Sequence, residues 1–288
     1  MALSVEDMIE HPALHRFVRG QSQALLEAFA ASPRISSVFA TQQRWLLAHC
    51  GLALHFRRDE SDSRTSLTAA RFFDLVQRHE VASRNTADSF IKEMLKYQVL
   101  EYLPPGPDKR VRLMKPSDAT LQALFGWAVV HLSTLDSLDG GGRLQAFVAD
   151  PDGMRKLHPL IADGLLSSIP VRQPERTFSL FTWLTNGGIV MEWLITGVDP
   201  GHANLDRIPT RVLSLGEFAA LLKLSRTHLA RKLRDAEALG SLGWFGERGQ
   251  SVMWVSRDFY REYMTAQAVK LAIIDAAFDV CFRDASSA

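Results

Sequence analysis

Cysteine is nearly absent: 2 in 288 residues, Cys50 and Cys281, far apart and in apolar surroundings. This excludes a disulfide framework, a CxxC redox motif and a multi-cysteine zinc site, and it suits a reducing compartment. Long apolar runs are missing too. The greasiest stretch, Gly188 to Val198, is broken by Glu192, and the opening MALSVEDMIEHPALHRF has no cationic start followed by an apolar run. Neither export nor membrane insertion is expected, and the cytoplasm is the expected location. Excess charge of either sign is also lacking, because 33 Lys+Arg against 32 Asp+Glu leave +1. A polycationic chain is ruled out, so any nucleic-acid surface has to be local.

Signatures of catalysis are equally scarce. There is no HExxH and no GxSxG, and Gly140-Gly-Gly142 is not followed by Lys-Ser/Thr, which makes it a linker rather than a phosphate loop. His11 and His15 stand at i,i+4 without a carboxylate at ligand spacing, and they read as an exposed helix pair rather than a metal site. Cys50 falls mid-helix with no activating neighbour. No enzyme activity, cofactor or metal is expected.

What the chain does have is a globular composition, 47% hydrophobic and 23% charged, over a length that suggests two domains. It also echoes itself. Arg34-Ile-Ser-Ser-Val-Phe39 aligns with Arg176-Thr-Phe-Ser-Leu-Phe181 at an offset of 142, and Ser83-Arg84 aligns with Ser225-Arg226 at the same offset. That register carries Ile91 onto Leu233, Lys92 onto Arg234, Tyr97 onto Leu239 and Leu100 onto Leu242. Farther on, Ser117 meets Ser256, Leu132 meets Leu271, Leu135 meets Ile274 and Asp136 meets Asp275 at an offset of 139. Chance could explain any one block, but a nearly constant register across three points to duplication. The seam is placed at Asp139-Gly-Gly-Gly-Arg143, where three glycines would form a flexible joint, giving units 1–143 and 144–288.

Within the first unit, Val38, Phe39, Gln42, Trp45, Leu46 and His49 recur at helical spacing, as do Phe72, Leu75, Val76 and His79. A third helix starts at the N-cap candidate Ser83 and runs to about Tyr97, with Ala87, Ile91 and Met94 on one face. Val99-Leu-Glu-Tyr-Leu103, a Pro/Gly-rich tip and Val111-Arg-Leu-Met114 make a hairpin, and a long helix over 117–138 follows. The second unit repeats the order with helices over 215–222 and 225–239, a hairpin around Phe245-Gly-Glu-Arg-Gly-Gln250, and a long helix over 257–282. The expected fold is mainly α with small β-hairpin wings: a tandem winged helix-turn-helix pseudo-dimer on a shared helical body.

Ser225-Arg-Thr-His-Leu-Ala-Arg-Lys-Leu-Arg-Asp-Ala-Glu-Ala-Leu-Gly240 resembles the recognition helix of bacterial winged-helix regulators, ending in the Leu-Gly that opens the wing. With Asp108-Lys109-Arg110 in the first wing and the length of each half, the chain is similar to two protomers of the MarR (multiple-antibiotic-resistance regulator) family fused head to tail. The resemblance implies a transcription regulator that binds double-stranded DNA. It further implies that Arg110 enters the minor groove while Asp108 holds its guanidinium; an exposed ion pair in a loop is the alternative. The second wing departs from the pattern, with Glu247-Arg248-Gly249 in place of Asp-x-Arg, so Arg248 is its candidate contact.

The faces of the two third helices give the remaining candidates. In the second unit Leu229, Leu233 and Ala236 mark the buried side, leaving Thr227, His228, Arg231 and Arg234 outward; Arg226 and Lys232 complete four cations without an acid between Ser225 and Arg234. Such a helix can lie in a major groove, with Arg read bidentately to guanine; a solvated basic face is the alternative. In the first unit the outward residues are Asn85, Thr86, Ser89 and Lys92 beside Arg84, weakened by Asp88. The two heads are therefore expected to be unequal, with one chain on one asymmetric site. A protein-interaction module with little DNA binding is the competing reading. A small aromatic effector is the companion expectation, with Trp45, Trp127, Trp183 and Trp193 on the helices expected to pack between the winged domains.

Overall fold

The computed structural model describes residues 2–31, 39, 41–59, 61–104, 111–174, 176–184 and 186–283. It is mainly helical, with small antiparallel sheets. The first repeat contributes α3 (Gln42–Phe56), α4 (Ala69–Arg78), α5 (Arg84–Lys96), β1 (Leu100–Tyr102), β2 (Met114–Pro116) and α6 (Asp118–Asp139), preceded by α1 (Val5–Glu10) and α2 (Leu14–Ala31). After the seam come α7 (Arg143–Ala149), α8 (Gly153–Ser167), α9 (Ile169–Arg172), α10 (Arg176–Thr182) and α11 (Gly187–Thr196). The second repeat closes with β3 (Arg207–Pro209), α12 (Leu215–Leu221), α13 (Arg226–Ala238), β4 (Leu242–Trp244), β5 (Met253–Ser256) and α14 (Arg257–Phe278).

Two compact units form, and their bounds interleave. One comprises Met1–Leu3, Arg34–Ser168 and Leu271–Ala288; the other comprises Ser4–Pro33 and Ile169–Lys270. Each unit thus draws on chain from both sides of residue 143. In the second unit, for instance, α2 is tied to α14 by Gln21 donating to Gln267 at 3.0 Å and by Ser22 bonded to Tyr263 at 2.9 Å.

Matching backbone features recur at the offsets seen in the sequence. α5 and α13 end at Tyr97 and Leu239, and each is followed by a left-handed residue, Gln98 (φ 57°) and Gly240 (φ 70°). That conformation lets the next amide turn back onto the helix, Val99 N–H to Met94 at 2.9 Å and Ser241 N–H to Ala236 at 3.0 Å. The strand pairs close alike, with Ser117 N–H to Val99 at 2.9 Å and Ser256 N–H to Ser241 at 2.8 Å. All these pairs keep the offsets of 142 and 139 found in the sequence. The sheets differ in extent: β1 pairs with β2 alone, whereas the second sheet has the order β3-β5-β4. In the first repeat the third strand is reduced to Met114 N–H donating to Leu67 at 2.9 Å.

Two sequence expectations shift. α3 begins at Gln42 behind Thr41, whose hydroxyl accepts from Arg44 N–H at 3.3 Å; Phe39 stands in a turn before it, and Val38 lies outside the described residues. The cap stops the helix where the apolar period would have carried it on. The glycine seam is not a loose joint. Gly140 (φ 73°) caps α6, and Arg143, 1% exposed, donates to Asp139, Asp136 and Asp275.

The first unit buries histidines where α3, α6 and α8 meet. His49 and His158 stack at 5.1 Å between ring centroids and share a 3.1 Å hydrogen bond, with Trp45 and Trp127 edge-on to His49. Burial above all, then His49, Arg57 and His55, hold His158 well below the usual histidine range, and burial with Arg58 and Lys115 pushes His55 down to about 4. A depressed folded pKa keeps the ring neutral while the unfolded chain takes up a proton near 6.5, so the stabilisation present above that pH is lost as pH falls. His158 alone is expected to remove about 1.4 kcal/mol per pH unit below about 6.5. Urea unfolding at descending pH checks this, and a His158→Leu chain should show a flatter fall; equal slopes would contradict it.

Candidate nucleic-acid interface

α13 is built as a one-sided helix. Ser225 caps its start by accepting from His228 N–H at 3.5 Å, and Leu229, Leu233 and Ala236 are each 0% exposed against the body of the second unit. Thr227, His228, Arg231 and Arg234 lie exposed, as the periodicity predicted, and so does Arg226. No carboxylate pairs with Arg226, Arg231 or Arg234 among the described residues. Lys232 is half-buried and reaches Asp235 at 3.8 Å, which withdraws it from the free charge. The result is a helix with three exposed guanidiniums, Arg231 and Arg234 on its outward face and Arg226 in its first turn.

The β4–β5 hairpin beside α13 is held by a contact that no local pattern announces. Glu237, on α13, accepts from Trp244 Nε1 at 3.0 Å and from Arg248 Nε at 2.9 Å, while Arg248 also donates to the Ala230 carbonyl at 3.2 Å. Arg248, a candidate contact from sequence, is thus folded back on the helix. It ties the hairpin to the helix, and its charge is paired with Glu237. Arg207, exposed at the start of β3 and 4.9 Å from the Trp254 ring, is a further cation of this sheet that sequence reading passed over.

α5 has the same construction with less charge. Ser83 caps it by accepting from Thr86 N–H at 3.2 Å, its hydroxyl also bonds the Thr86 hydroxyl at 2.9 Å, and Ala87, Phe90, Ile91 and Met94 are buried. Arg84, Asn85, Thr86, Ser89 and Lys92 are exposed. Lys92 pairs with Asp88 at 2.6 Å one turn back, and the Arg84 guanidinium rests 4.8 Å from the Phe73 ring centroid. Asp108 and Arg110 lie outside the described residues. In the described part of this wing, Arg112 stacks 3.6 Å from the Tyr102 ring, a cation the sequence analysis did not single out.

Among the described residues no three His, Cys, Asp or Glu side chains gather to hold a metal, and no helix is long and apolar enough to cross a membrane. Burial pushes the Cys50 thiol up to about 12, the opposite of an activated nucleophile. Trp183 is 60% exposed, whereas Trp45 and Trp127 are spent on His49 inside the first unit. Comparison of the chain with protein-family models, with curated proteins and with solved structures finds no match in any of the three.

Proposed function

We propose that the chain is a DNA-binding transcription regulator in which each repeat supplies one winged helix-turn-helix head, with α5 and α13 as the recognition helices and the single chain acting as a pseudo-dimer in the cytoplasm. The observation that carries this reading is the outward face of α13, where Arg231 and Arg234 are exposed and, among the described residues, unpaired, on a helix anchored by three fully buried residues. Guanidiniums held on a rigid helix suit bidentate contact with guanine in a major groove, and surface arginines without carboxylate partners suit phosphate. The matching backbone turns after α5 and α13 support two heads of one design, and the resemblance to MarR-like protomers points the same way.

Titration of genomic fragments with the purified chain, followed by footprinting, tests the proposal. Binding at about 50 mM salt that weakens steeply as salt rises is expected. Because Asn85, Thr86, Ser89 and Lys92 differ from Thr227, His228, Arg231 and Arg234, one chain per site and an asymmetric sequence are expected; light scattering and base-substitution scanning measure both. Two chains on a strict palindrome would remove the pseudo-dimer.

A second reading assigns a head to a protein partner. It is favoured by the Lys92–Asp88 pair, which leaves the α5 face nearly neutral. Absence of a shift on any fragment would select it.

A further inference from the structure

A strand that covers a core on one side alternates buried and outward residues, and the second sheet follows that rule. Ile208, Leu242, Met253 and Val255 are at most 1% exposed and make its inner side. The register sets Trp254 between Pro209 of β3 and Gly243 of β4, so these three share the outer side. Arg207 and Phe245 stand two residues along from Pro209 and Gly243 and belong to the same side. Phe245 is 55% exposed, and its amide donates to the Val252 carbonyl at 3.0 Å, which keeps it in line with β4. The outer side is aromatic, and it is open.

Two details distinguish this surface from stray apolar side chains. A Cβ on Gly243 would stand 2.5 Å from the Trp254 ring, too close for any side chain, so glycine is what lets the indole lie down on the sheet. The indole nitrogen is buried and nothing among the described residues accepts from it, so packing rather than a hydrogen bond sets the ring's place. The Arg207 guanidinium lies over that ring, 4.9 Å from its centroid, and itself stays exposed. The strands carry charge of one sign only. β3, β4 and β5 contain no acid, Asp206 is paired with Arg257, and Glu247, the one acid of the hairpin's tip, holds the Gln250 amide at 2.6 Å. Among the described residues no carboxylate pairs with Arg207.

A planar guanidinium on an indole, beside an exposed phenyl ring, suits unpaired bases, which stack on such planes while the arginine meets the phosphates. A base inside an intact duplex keeps its faces covered and cannot use it. We propose that the outer side of the second sheet binds single-stranded DNA, with one base on Phe245 and another on the Arg207–Trp254 stack. DNA is assigned over RNA because Pro209 and Val252 suit deoxyribose and the thymine methyl group. A ribose 2′-hydroxyl finds no partner, since the Ser256 hydroxyl, the one side-chain hydroxyl of the three strands, already accepts from the Phe259 amide at 3.1 Å. The surface does not use the outward face of α13, so it stands apart from the duplex binding proposed above.

A labelled oligodeoxythymidylate of about ten nucleotides, titrated with the full chain at about 50 mM salt and followed by fluorescence anisotropy, is the test. Binding is expected, with a shift of the Trp254 indole N–H resonance, which is identified by its loss in Trp254→Phe. Arg207→Ser combined with Phe245→Ser should weaken binding by about 25-fold or more, since each stacked base contributes at least about fivefold. The same variant should hold a footprinted duplex as well as the unaltered chain does, whereas Arg231→Ala with Arg234→Ala should lose the duplex and keep the oligonucleotide. Oligouridylate should bind more weakly. No binding, no indole shift, or an oligonucleotide lost with Arg231 and Arg234 rather than with Arg207 and Phe245 overturns the site. Oligouridylate held as tightly or more tightly overturns the assignment to DNA. If the Arg207, Phe245 variant does not fold, the indole shift in the unaltered chain decides alone. A chain that takes the oligonucleotide but no duplex sinks the regulator reading and leaves this surface standing.

Discussion

Replacing Arg231 and Arg234 together by alanine is expected to leave the fold intact and to remove most sequence-specific DNA binding. Both side chains are exposed and neither packs on the core side of α13, where Leu229, Leu233 and Ala236 do the anchoring. Surface changes of this kind usually alter stability by less than about 0.5 kcal/mol. A bidentate arginine contact to a base contributes about 1–3 kcal/mol of discrimination, so two of them correspond to roughly 30-fold at the least and about 20,000-fold at most. Gel-shift titration at fixed salt measures the loss, and thermal unfolding of the variant verifies the fold. Lys92→Ala should cost far less and should mainly flatten the salt dependence, since Lys92 is already paired with Asp88 at 2.6 Å. If Lys92→Ala proved the more damaging, α5 rather than α13 would be the principal reader.

Arg143→Met should be the most destabilising single change in the first unit. The guanidinium has five N–H donors, and five bonds use them. Nε and Nη2 reach Asp275 at 2.6 and 3.0 Å, Nη1 and Nη2 reach Asp139 at 2.7 and 2.8 Å, and Nη1 reaches Asp136 at 3.4 Å. Asp275 is 0% exposed, so removing the arginine strands a carboxylate in the interior with, among the described residues, only the Leu3 amide, at 2.8 Å, still bonded to it. Breaking a buried pair from one side costs about 3–5 kcal/mol. Urea unfolding should show the drop, and Arg143→Lys should not rescue it, because three ammonium donors on a flexible stem cannot span three carboxylates. Adding Asp275→Leu to Arg143→Met should recover part of the loss by removing the stranded charge. A loss below about 1 kcal/mol in Arg143→Met would show that the network is ornamental to stability.

Much of this molecule is legible in its sequence, for reasons that are local. Apolar positions at helical spacing gave α5, α6, α12 and α13 close to their observed ends, because a helix needs one stripe to bury and the stripe repeats every turn. The same arithmetic placed Arg231 and Arg234 outside and Leu229 and Leu233 inside. The offsets of 142 and 139 in residue type reappear as equivalent backbone hydrogen bonds, since similar patterns of apolar and turn residues specify similar turns.

Tertiary structure alone decided what those stripes bury against. Periodicity identifies a buried face without naming its partner, so nothing in residues 4–33 announced that they join 169–270. Arg248 and Glu237 stand in different elements, and the hairpin's path rather than any sequence spacing turns Arg248 from a free cation into a strut. The glycine seam is the sharpest case. Three glycines signal freedom when only neighbours are considered, but Asp275, distant in sequence, arrives beside Arg143, and a buried charge with saturated donors admits one geometry. Local chemistry set the elements and their exposed faces; long-range burial, which the chain can satisfy only when folded, set their partners and fixed the joint.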